Sequence, residues 1–133
     1  MSAKLILIRG LPGSGKSSIA KSLTDYVHIE ADQFFTDDDG VYRYDPTQIP
    51  EAHAWCHRKV KQALKKGCQV AVSNTFSRVW EMQIYLDMSK EMGINFQIIE
   101  AQGCWPNEHG VPNESIEKMR QRWEPTPESL FKE

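Results

Sequence analysis

Near its amino terminus the chain reads Gly10-Leu11-Pro12-Gly13-Ser14-Gly15-Lys16-Ser17. This stretch fits G-x-x-x-x-G-K-[ST], the pattern of a phosphate-binding P-loop. Its glycines let the backbone curl so that several N–H groups point toward one anion, and a helix that begins at the end of the loop adds the positive end of its dipole. The Lys16 side chain can reach phosphate oxygens and the Ser17 hydroxyl can ligate Mg²⁺. The stretch therefore predicts a site for nucleotide phosphates.

The residues on either side of this loop supply the structural context that the motif requires. The apolar run at 4–8 precedes the loop and is typical of a buried parallel strand. Ile19, Ala20 and Leu23 follow it at helical spacing. Strand, glycine-rich loop and helix thus occur in the required order, which disfavours the alternative of a Gly/Pro turn beside an ordinary surface lysine.

Strands and helices alternate along the rest of the chain. Short apolar runs predict three further strands, at 26–29, 69–73 and 94–99. Amphipathic stretches of helical period separate these strands. Alternation of this kind predicts a parallel sheet between two layers of helices, which is a three-layer α/β/α sandwich.

Length, charge and hydropathy limit the class of protein. The chain has 133 residues, of which 40% are hydrophobic, and its net charge of −2 does not suit a basic nucleic-acid coat. We predict one domain over residues 1–124 and a C-terminal tail over 125–133. No apolar run approaches the ~20 residues of a membrane span and no signal peptide is evident, so we expect no membrane partner. The three cysteines, Cys56, Cys68 and Cys104, match no zinc or disulfide framework, and we expect them to be reduced in a cytoplasmic protein.

The most concentrated basic surface is predicted on the helix after the second strand. This helix begins near Pro50, which suits a first turn, and ends near Gly67, which suits a helix terminus. One side of it is apolar. The other side carries a run of basic residues: His57, Arg58, Lys59, Lys61, Lys65 and Lys66. Such a face is either solvated, which is the interpretation we favour, or it guides a polyanion.

Candidate reactive residues follow the second and third strands. Asp32 lies just after the second strand, and ligands of open α/β sheets bind at the carboxyl ends of strands. Its carboxylate could accept a proton from an attacking hydroxyl, or it could equally cap a turn. Asn74 follows the third strand, where many P-loop enzymes have an acid for the Mg²⁺ shell, and it could support metal-bound water only as a neutral group. Arg78 begins the next helix, predicted over 78–92 with Ser77 as its cap.

A polar and acidic insertion at residues 36–46 follows Asp32. Within it, Tyr42, Arg43 and Tyr44 place two aromatic rings around one cation. This cluster could hold an acceptor substrate, and the alternative is a solvated loop.

Six stretches together resemble one family. They are Arg9-Gly10-Leu11-Pro12-Gly13-Ser14-Gly15-Lys16-Ser17, Ala31-Asp32-Gln33-Phe34-Phe35, Ala52-His53-Ala54-Trp55, Asn74-Thr75, Trp80-Glu81-Met82 and Asn107-Glu108-His109-Gly110-Val111-Pro112. In this order they make the chain similar to the polynucleotide-kinase-like P-loop kinases. More narrowly, the chain resembles the small AAA-type ATP-binding domains of phage and bacterial proteins and of some eukaryotic ubiquitin-ligase-binding proteins. The resemblance covers nearly the whole chain and implies the sheet order 2-3-1-4.

The resemblance also implies a reaction, in which the γ-phosphate of ATP moves to a hydroxyl, typically the 5′-hydroxyl of a nucleic acid, with Mg²⁺ as cofactor. By position, Asp32 would be the general base, Asn74 would stand beside the reaction centre and His109 would lie in the lid loop. Lys16 would act on the phosphates during transfer, and Ser17 would be the metal ligand. The implied ATP-binding residues are Gly10, Leu11, Pro12, Gly13, Ser14, Gly15, Lys16, Ser17 and Ser18.

Two departures from the family pattern affect the acceptor and the lid. Polynucleotide kinases carry an arginine shortly after the base to bind the acceptor phosphate, and Phe35 stands there in this chain, so Arg43 or Arg78 would have to serve. No lysine or arginine occurs between Lys90 and Lys118. An arginine that stabilises transition-state charge is worth ~10³–10⁵ in rate. A cation from a last helix, predicted to begin after Asn113, would therefore have to reach the phosphates, or turnover would be slow. The candidates are Arg120 and Arg122.

Three functions are compatible with these features. The first is a kinase for a polynucleotide hydroxyl, and the second is a kinase for a small nucleotide, sugar or similar metabolite. The third is an ATP-binding module without catalytic activity, which the arginine-free lid and the neutral Asn74 favour. The sequence predicts no oligomeric state.

Overall fold

Four parallel strands form the central sheet: β1 (Leu5–Arg9), β2 (Val27–Ile29), β3 (Val70–Asn74) and β4 (Phe96–Glu100). Their order is β2-β3-β1-β4, which confirms the predicted order 2-3-1-4. Each strand begins one or two residues later than predicted. The structure is a computed structural model, and it describes residues 4–11, 15–37, 39–76, 78–101, 118, 121 and 123–126.

Within the described ranges, the two faces of this sheet are covered by the helices α1 (Lys16–Ser22), α2 (Ile49–Lys65) and α3 (Val79–Met92). Alternate residues of a strand point to opposite faces. In β1, Leu5 and Leu7 accordingly join the core under α2 and α3, whereas Ile6 and Ile8 pack with α1. The three-layer α/β/α architecture is therefore confirmed, and the continuous apolar strand follows from its burial on both faces.

Helix α2 follows its sequence signals closely. Pro50 lies in its first turn, and the residues buried against the sheet repeat at helical spacing. Those buried residues are Ala52, Cys56, Val60 and Leu64. Gly67 follows the helix with φ 86°, a left-handed conformation that glycine adopts without strain.

Helix α3 begins one residue later than predicted, at Val79 rather than Arg78. The predicted cap, Ser77, lies outside the described residues. The first free N–H groups are instead bound by carboxylates: the Val79 N–H donates to Glu124 Oε1 at 2.8 Å, and the Arg78 N–H donates to Glu81 Oε1 at 3.2 Å. Negative charge at this end also complements the helix dipole.

A short C-terminal segment is held across the carboxyl end of β1 by Arg9, which is fully buried. Its guanidinium donates to Phe76 O at 2.6 Å, Glu124 O at 2.7 Å and Thr126 Oγ1 at 2.6 Å. The same group lies 3.9 Å from the centre of the Trp123 ring, in a cation–π contact. Contacts with the domain therefore extend into the first residues of the predicted tail, 125–133.

Between β2 and α2 the chain forms a five-residue 3₁₀ helix (Ala31–Phe35) and then a loop that turns back on it. The loop is closed by an antiparallel bridge between Thr36 and Tyr42, and the Asp37 carboxylate accepts two backbone N–H groups within it. The Tyr44 ring packs edge-on against Phe35, with 5.2 Å between ring centres. The insertion is thus folded back onto the 3₁₀ helix that carries Asp32.

No helix within the described ranges is both long enough and apolar enough to cross a membrane.

Candidate active site

The P-loop starts where β1 ends, beside the end of β3. The Gly10 N–H donates to Thr75 O at 3.3 Å, which joins the two strand ends. The loop ends at Gly15, whose φ of 95° lies in the left-handed region where only glycine is free of strain. Helix α1 begins at the next residue, Lys16. The predicted sequence of strand, loop and helix is therefore present, with the lysine at the start of the helix.

The Lys16 ammonium is turned back onto its own loop. Its Nζ donates to Gly10 O at 2.9 Å and to Leu11 O at 3.2 Å. Burial lowers the pKa of Lys16 from 10.5 to about 8, although the charges of Glu30 and Asp32 act in the opposite direction. The desolvated Lys16 ammonium thus has two neutral carbonyls as hydrogen-bond partners. An anion would be a better partner, so this group fits a phosphate.

Asp32 lies in the first turn of the 3₁₀ helix, directly after β2. The Tyr42 hydroxyl donates to Asp32 Oδ1 at 2.8 Å. Burial of the phenol, followed by this hydrogen bond to a carboxylate, raises the pKa of Tyr42 to about 12. Tyr42 consequently remains a neutral donor at any ordinary pH. Tyr42, a residue of the predicted acceptor cluster, thus holds the carboxylate of Asp32, the predicted base.

The structure brings the donor and acceptor sides of the predicted site together. Glu30 and Asp32 both act electrostatically on the Lys16 ammonium, although Lys16 follows β1 and the two acids follow β2. Since β3 lies between these strands in the sheet, the charges of the acids and of the lysine meet at the carboxyl ends of the strands. This edge is where ligands of open α/β sheets bind.

Asn74 ends β3 and is buried, and its side chain contacts protein at both polar atoms. The Ala31 N–H donates to Asn74 Oδ1 at 2.9 Å, and Asn74 Nδ2 lies 3.8 Å from Cys56 Sγ. Because Ala31 is the residue before Asp32, Asn74 fixes the start of the helix that carries the predicted base. These contacts are those of a positioning residue, and the predicted place beside the reaction centre remains a prediction.

The two arginines predicted to bind the acceptor form ion pairs at the surface. Arg43 Nε lies 3.7 Å from Asp37 Oδ2, with 76% of its side chain exposed, and an Arg78 guanidinium nitrogen lies 3.8 Å from Glu124 Oε2. Exposed pairs of this kind contribute ~0–1 kcal/mol. Either arginine can therefore exchange its partner for a phosphate at little cost, and their acceptor role remains a prediction.

Several of the predicted site residues are not among those that the structure describes. Pro12, Gly13, Ser14, His109, Arg120 and Arg122 lie outside the described residues, as does the Ser17 side chain. Their roles stay predictions. Ser18 is exposed on α1, and its predicted contact with nucleotide likewise stays a prediction.

Sequence reasoning overlooked Glu30 and the Arg9–Glu124 contact. Glu30 precedes the 3₁₀ helix, and its charge raises the pKa of Lys16 more than the charge of Asp32 does. Arg9 directly follows the apolar residues of the strand Leu-Ile-Leu-Ile-Arg, and this position in the sequence could have indicated that its side chain is buried. Buried arginines are found almost only with partners, so a distant partner could have been expected.

Among the described residues, no group of three or more His, Cys, Asp or Glu side chains could hold a metal ion by itself. A P-loop site does not need one, since the nucleotide phosphates supply part of the coordination. The carboxylates of Glu30 and Asp32 near Lys16 are oxygen donors of the kind that Mg²⁺ prefers. The described donors therefore fit a Mg²⁺ ion carried by a nucleotide.

Known proteins with similar sequences identify the family of this chain. The profile of the AAA domain family matches residues 5–105. Human NEDD4-binding protein 2 is 32% identical over 134 residues, which cover 90% of this chain and 8% of that protein. The chain therefore spans only a small part of this relative.

Solved structures show the same fold at lower identity. A chain of the Pnkp1/Rnl/Hen1 complex gives a TM-score of 0.62 at 21% identity, over 86% of this chain and 38% of that one. APS kinase CysC of Mycobacterium tuberculosis, in complex with AMPPNP and APS, gives 0.53 at 16% identity, over 87% and 67%. A sugar kinase from Janibacter sp. HTCC2649 gives 0.52 at 17% identity, over 97% and 73%.

Proposed function

The chain belongs to the AAA domain family and, within it, to the polynucleotide-kinase-like P-loop kinases, and from that premise we propose that it transfers the γ-phosphate of ATP to the 5′-hydroxyl of a nucleic acid. One observation carries the proposal: the Asp32 carboxylate, which follows β2, is near enough to act electrostatically on the Lys16 ammonium of the P-loop, which follows β1. Phosphoryl transfer needs a cation at the donor phosphates and a base at the acceptor hydroxyl, on opposite sides of the transferred group.

On the donor side, Lys16 exchanges its two loop carbonyls for phosphate oxygens. This exchange restores a charged partner to a desolvated ammonium, so that the lysine binds the polyphosphate strongly. Ser17 is the proposed ligand of the metal, with Glu30 and Asp32 near its water shell. When bound, Mg²⁺ supplies neutralisation of phosphate charge.

On the acceptor side, Asp32 accepts the proton of the hydroxyl as the new O–P bond forms and the bond to the ADP leaving oxygen breaks. Tyr42 holds one carboxylate oxygen, Oδ1, and thereby orients the other toward the acceptor. Asn74 fixes the backbone before Asp32. Arg120 or Arg122 remains the proposed source of transition-state charge stabilisation, and His109 remains a proposed contact of the acceptor.

A nucleic acid is favoured over a small metabolite because the described acceptor side is open. Tyr42 and Tyr44 are both about half exposed, at 50% and 54%, and Arg43 stands between them. Exposed rings beside a cation suit a base and its phosphate, whereas small-molecule sites enclose most of their ligand. The likeness to a chain of the Pnkp1/Rnl/Hen1 complex supports the same choice.

A second candidate function is nucleotide binding without transfer. The absence of lysine and arginine from residues 91–117 favours it, because a lid without cations would leave transition-state charge unbalanced. In this case the protein would bind ATP and exchange it without consuming it.

Transfer of label from γ-labelled ATP separates these functions. The acceptors are a 5′-hydroxyl oligonucleotide, the same oligonucleotide with a 5′-phosphate, and a panel of nucleosides, sugars and APS. Label on the 5′-hydroxyl oligonucleotide alone supports the proposal. Label on a panel member only would assign a metabolite kinase, and ATP binding with no labelled product would assign a binding module.

A further inference from the structure

A groove of about 420 Å³ runs between β2, the terminal strand of the sheet, and one side of α2. The strand contributes Val27, His28 and Ile29, and Val27 is 42% exposed in it. The candidate active site lies at the carboxyl ends of the strands, whereas this groove lies along β2. It is therefore a separate feature of the surface, and the proposed reaction does not use it.

The wall of the groove on α2 is a single stripe of the helix. Its members are spaced by four, three and four residues, which places them on one side; they are Trp55, Lys59 and Gln62 of α2 and Lys66, which caps the helix, and Ala63 lies beside them. The stripe is distinct from the one that α2 buries against the sheet. It is also distinct from Arg58 and Lys65, which are exposed and do not line the groove.

The chemistry of this stripe suits a single-stranded polyanion. Trp55 packs edge-on against Phe34, with 6.2 Å between ring centres, and Lys59 Nζ lies 5.8 Å from the Trp55 ring. Lys66 adds a second exposed cation. None of the described residues that line the groove is Asp or Glu, although the chain as a whole has a net charge of −2. An aromatic ring beside cations is the usual arrangement for stacking a base next to its phosphates.

One end of the groove borders the candidate active site. Gln33, which lines the groove, follows Asp32 in the 3₁₀ helix, and its Nε2 donates to His28 O at 3.2 Å. Lys59 and Lys66 are seven residues apart, or about 10 Å along the helix at 1.5 Å per residue. Since stacked nucleotides rise ~3.4 Å each, the two lysines span about three phosphates. A strand whose 5′ end lies at Asp32 can follow the groove away from the site.

We propose that the groove between β2 and α2 binds the nucleotides that follow the 5′ end of a single-stranded acceptor, with a base against Trp55 and phosphates at Lys59 and Lys66. The inference rests on the proposed function for the identity of the acceptor. It adds a length requirement: acceptors of several nucleotides bind better than a dinucleotide, because only they reach the groove.

The first test measures binding without turnover, by anisotropy of a 12-nucleotide strand that has a free 5′-hydroxyl and a 3′ fluorophore. Lys59→Ala/Lys66→Ala is compared with Arg58→Ala/Lys65→Ala, which removes the same charge at the same spacing from the outer side of the helix. The groove pair should lower the slope of log affinity against log salt by about 1.4, at ~0.7 per phosphate contact. The outer pair should leave the slope unchanged, and equal slopes for the two pairs would overturn the inference.

A third variant, Trp55→Leu, tests the stacked base. We expect about tenfold weaker binding, the scale of one lost base–aromatic contact, with an unchanged salt slope because no charge is removed. Undiminished binding would remove the aromatic from the site and overturn that part of the inference. Poly-glutamate is the competitor for the alternative occupant: if it binds through Lys59 and Lys66 and the oligonucleotide does not, the groove belongs to an acidic peptide.

The second test separates this inference from the proposed function. Phosphorylation of a dinucleotide and of a 12-nucleotide strand is compared by kcat/KM. The groove pair should lose the preference for the longer acceptor and keep the dinucleotide rate, whereas the outer pair should keep both. Specific binding in the groove with no phosphorylation of any acceptor would refute the proposed function and leave the groove assignment standing.

Discussion

Binding of ATP should take up a proton at Lys16. In the free protein burial lowers the pKa of this ammonium to about 8. Phosphate oxygens favour the charged form, so the pKa in the complex should return toward its ordinary value of 10.5. With a free pKa of about 8, the lysine is ~10% deprotonated at pH 7, about half at pH 8 and ~90% at pH 9. These fractions are the protons taken up per ATP bound.

The affinity for ATP should fall between pH 7 and pH 9, because part of the binding free energy is then used to protonate Lys16. The expected loss relative to pH 6.5 is about twofold at pH 8 and about tenfold at pH 9. The stability of the free protein should change in the opposite sense. A lowered cation pKa means that the unfolded chain binds the additional proton between pH 8 and 10.5, so this contribution to stability rises with pH.

Titration calorimetry in two buffers of different ionisation enthalpy measures the proton uptake directly. Saturating Mg²⁺ and a pH above 7.5 keep the terminal phosphate, whose pKa is about 6, fully ionised. Lys4→Arg is the control for a lysine exchange at an exposed position and should behave as wild type. Lys16→Arg keeps its charge throughout, so any binding it retains should involve no uptake.

Two results would refute this reasoning. One is an affinity that stays constant from pH 7 to pH 9 with no proton uptake. The other is equal uptake in wild type and in Lys16→Ala, since the proton would then bind elsewhere. Either result would show that Lys16 is not a desolvated cation in the free protein.

Three further substitutions test the residues that support the site. Arg9→Met removes a fully buried guanidinium and three hydrogen bonds, so the free energy of unfolding measured in urea should fall by about 3 kcal/mol or more. A fall below about 1 kcal/mol would mean that the contacts of Arg9 with the C-terminal segment contribute little to stability. Asn74→Ala leaves the Ala31 N–H without its acceptor and should cost about 1–3 kcal/mol as well as slowing transfer, whereas unchanged transfer per folded molecule would contradict a positioning role. Tyr42→Phe keeps the ring and removes the donor to Asp32; kcat should fall about threefold to tenfold with KM unchanged, and an unaltered kcat would show that the hydroxyl does not orient the base.

The fold was predictable because its signals are local. The P-loop, the apolar strands and the glycines after α2 and α3 each act within a few residues, and they agree with one another. Gly67, for example, was predicted near the end of a helix, and it follows α2 with φ 86°. The alternation of strand and helix then leaves few topologies open, and the family resemblance selected the observed one.

Features that join distant parts of the chain were not predictable in the same way. The N-terminus of α3 was assigned a cap at Ser77, but Glu124 accepts the Val79 N–H from 45 positions away in the sequence. The contact between Arg9 and Thr126 joins residues 117 positions apart. Neither pairing has a sequence period or a spacing rule, since each depends on where the sheet brings the strand ends.

The candidate site could be predicted only in part from the sequence. The nearness of Lys16 and Asp32 could be predicted from the rule that ligands bind at strand ends. The hydrogen bond from Tyr42 to Asp32 could not, because it depends on how the loop after Phe35 turns back.

Asp32→Asn tests the central claim most directly, because the change keeps the size of the side chain and removes its ability to accept a proton. Transfer of the γ-phosphate to a 5′-hydroxyl oligonucleotide, the affinity for ATP and the melting temperature are measured on the same preparation. The account predicts that transfer falls by ~10²-fold or more, the scale of lost general-base catalysis, while ATP affinity and melting temperature change little. Retained transfer per folded molecule, together with a lowered melting temperature, would contradict it and would make Asp32 a structural residue of the turn.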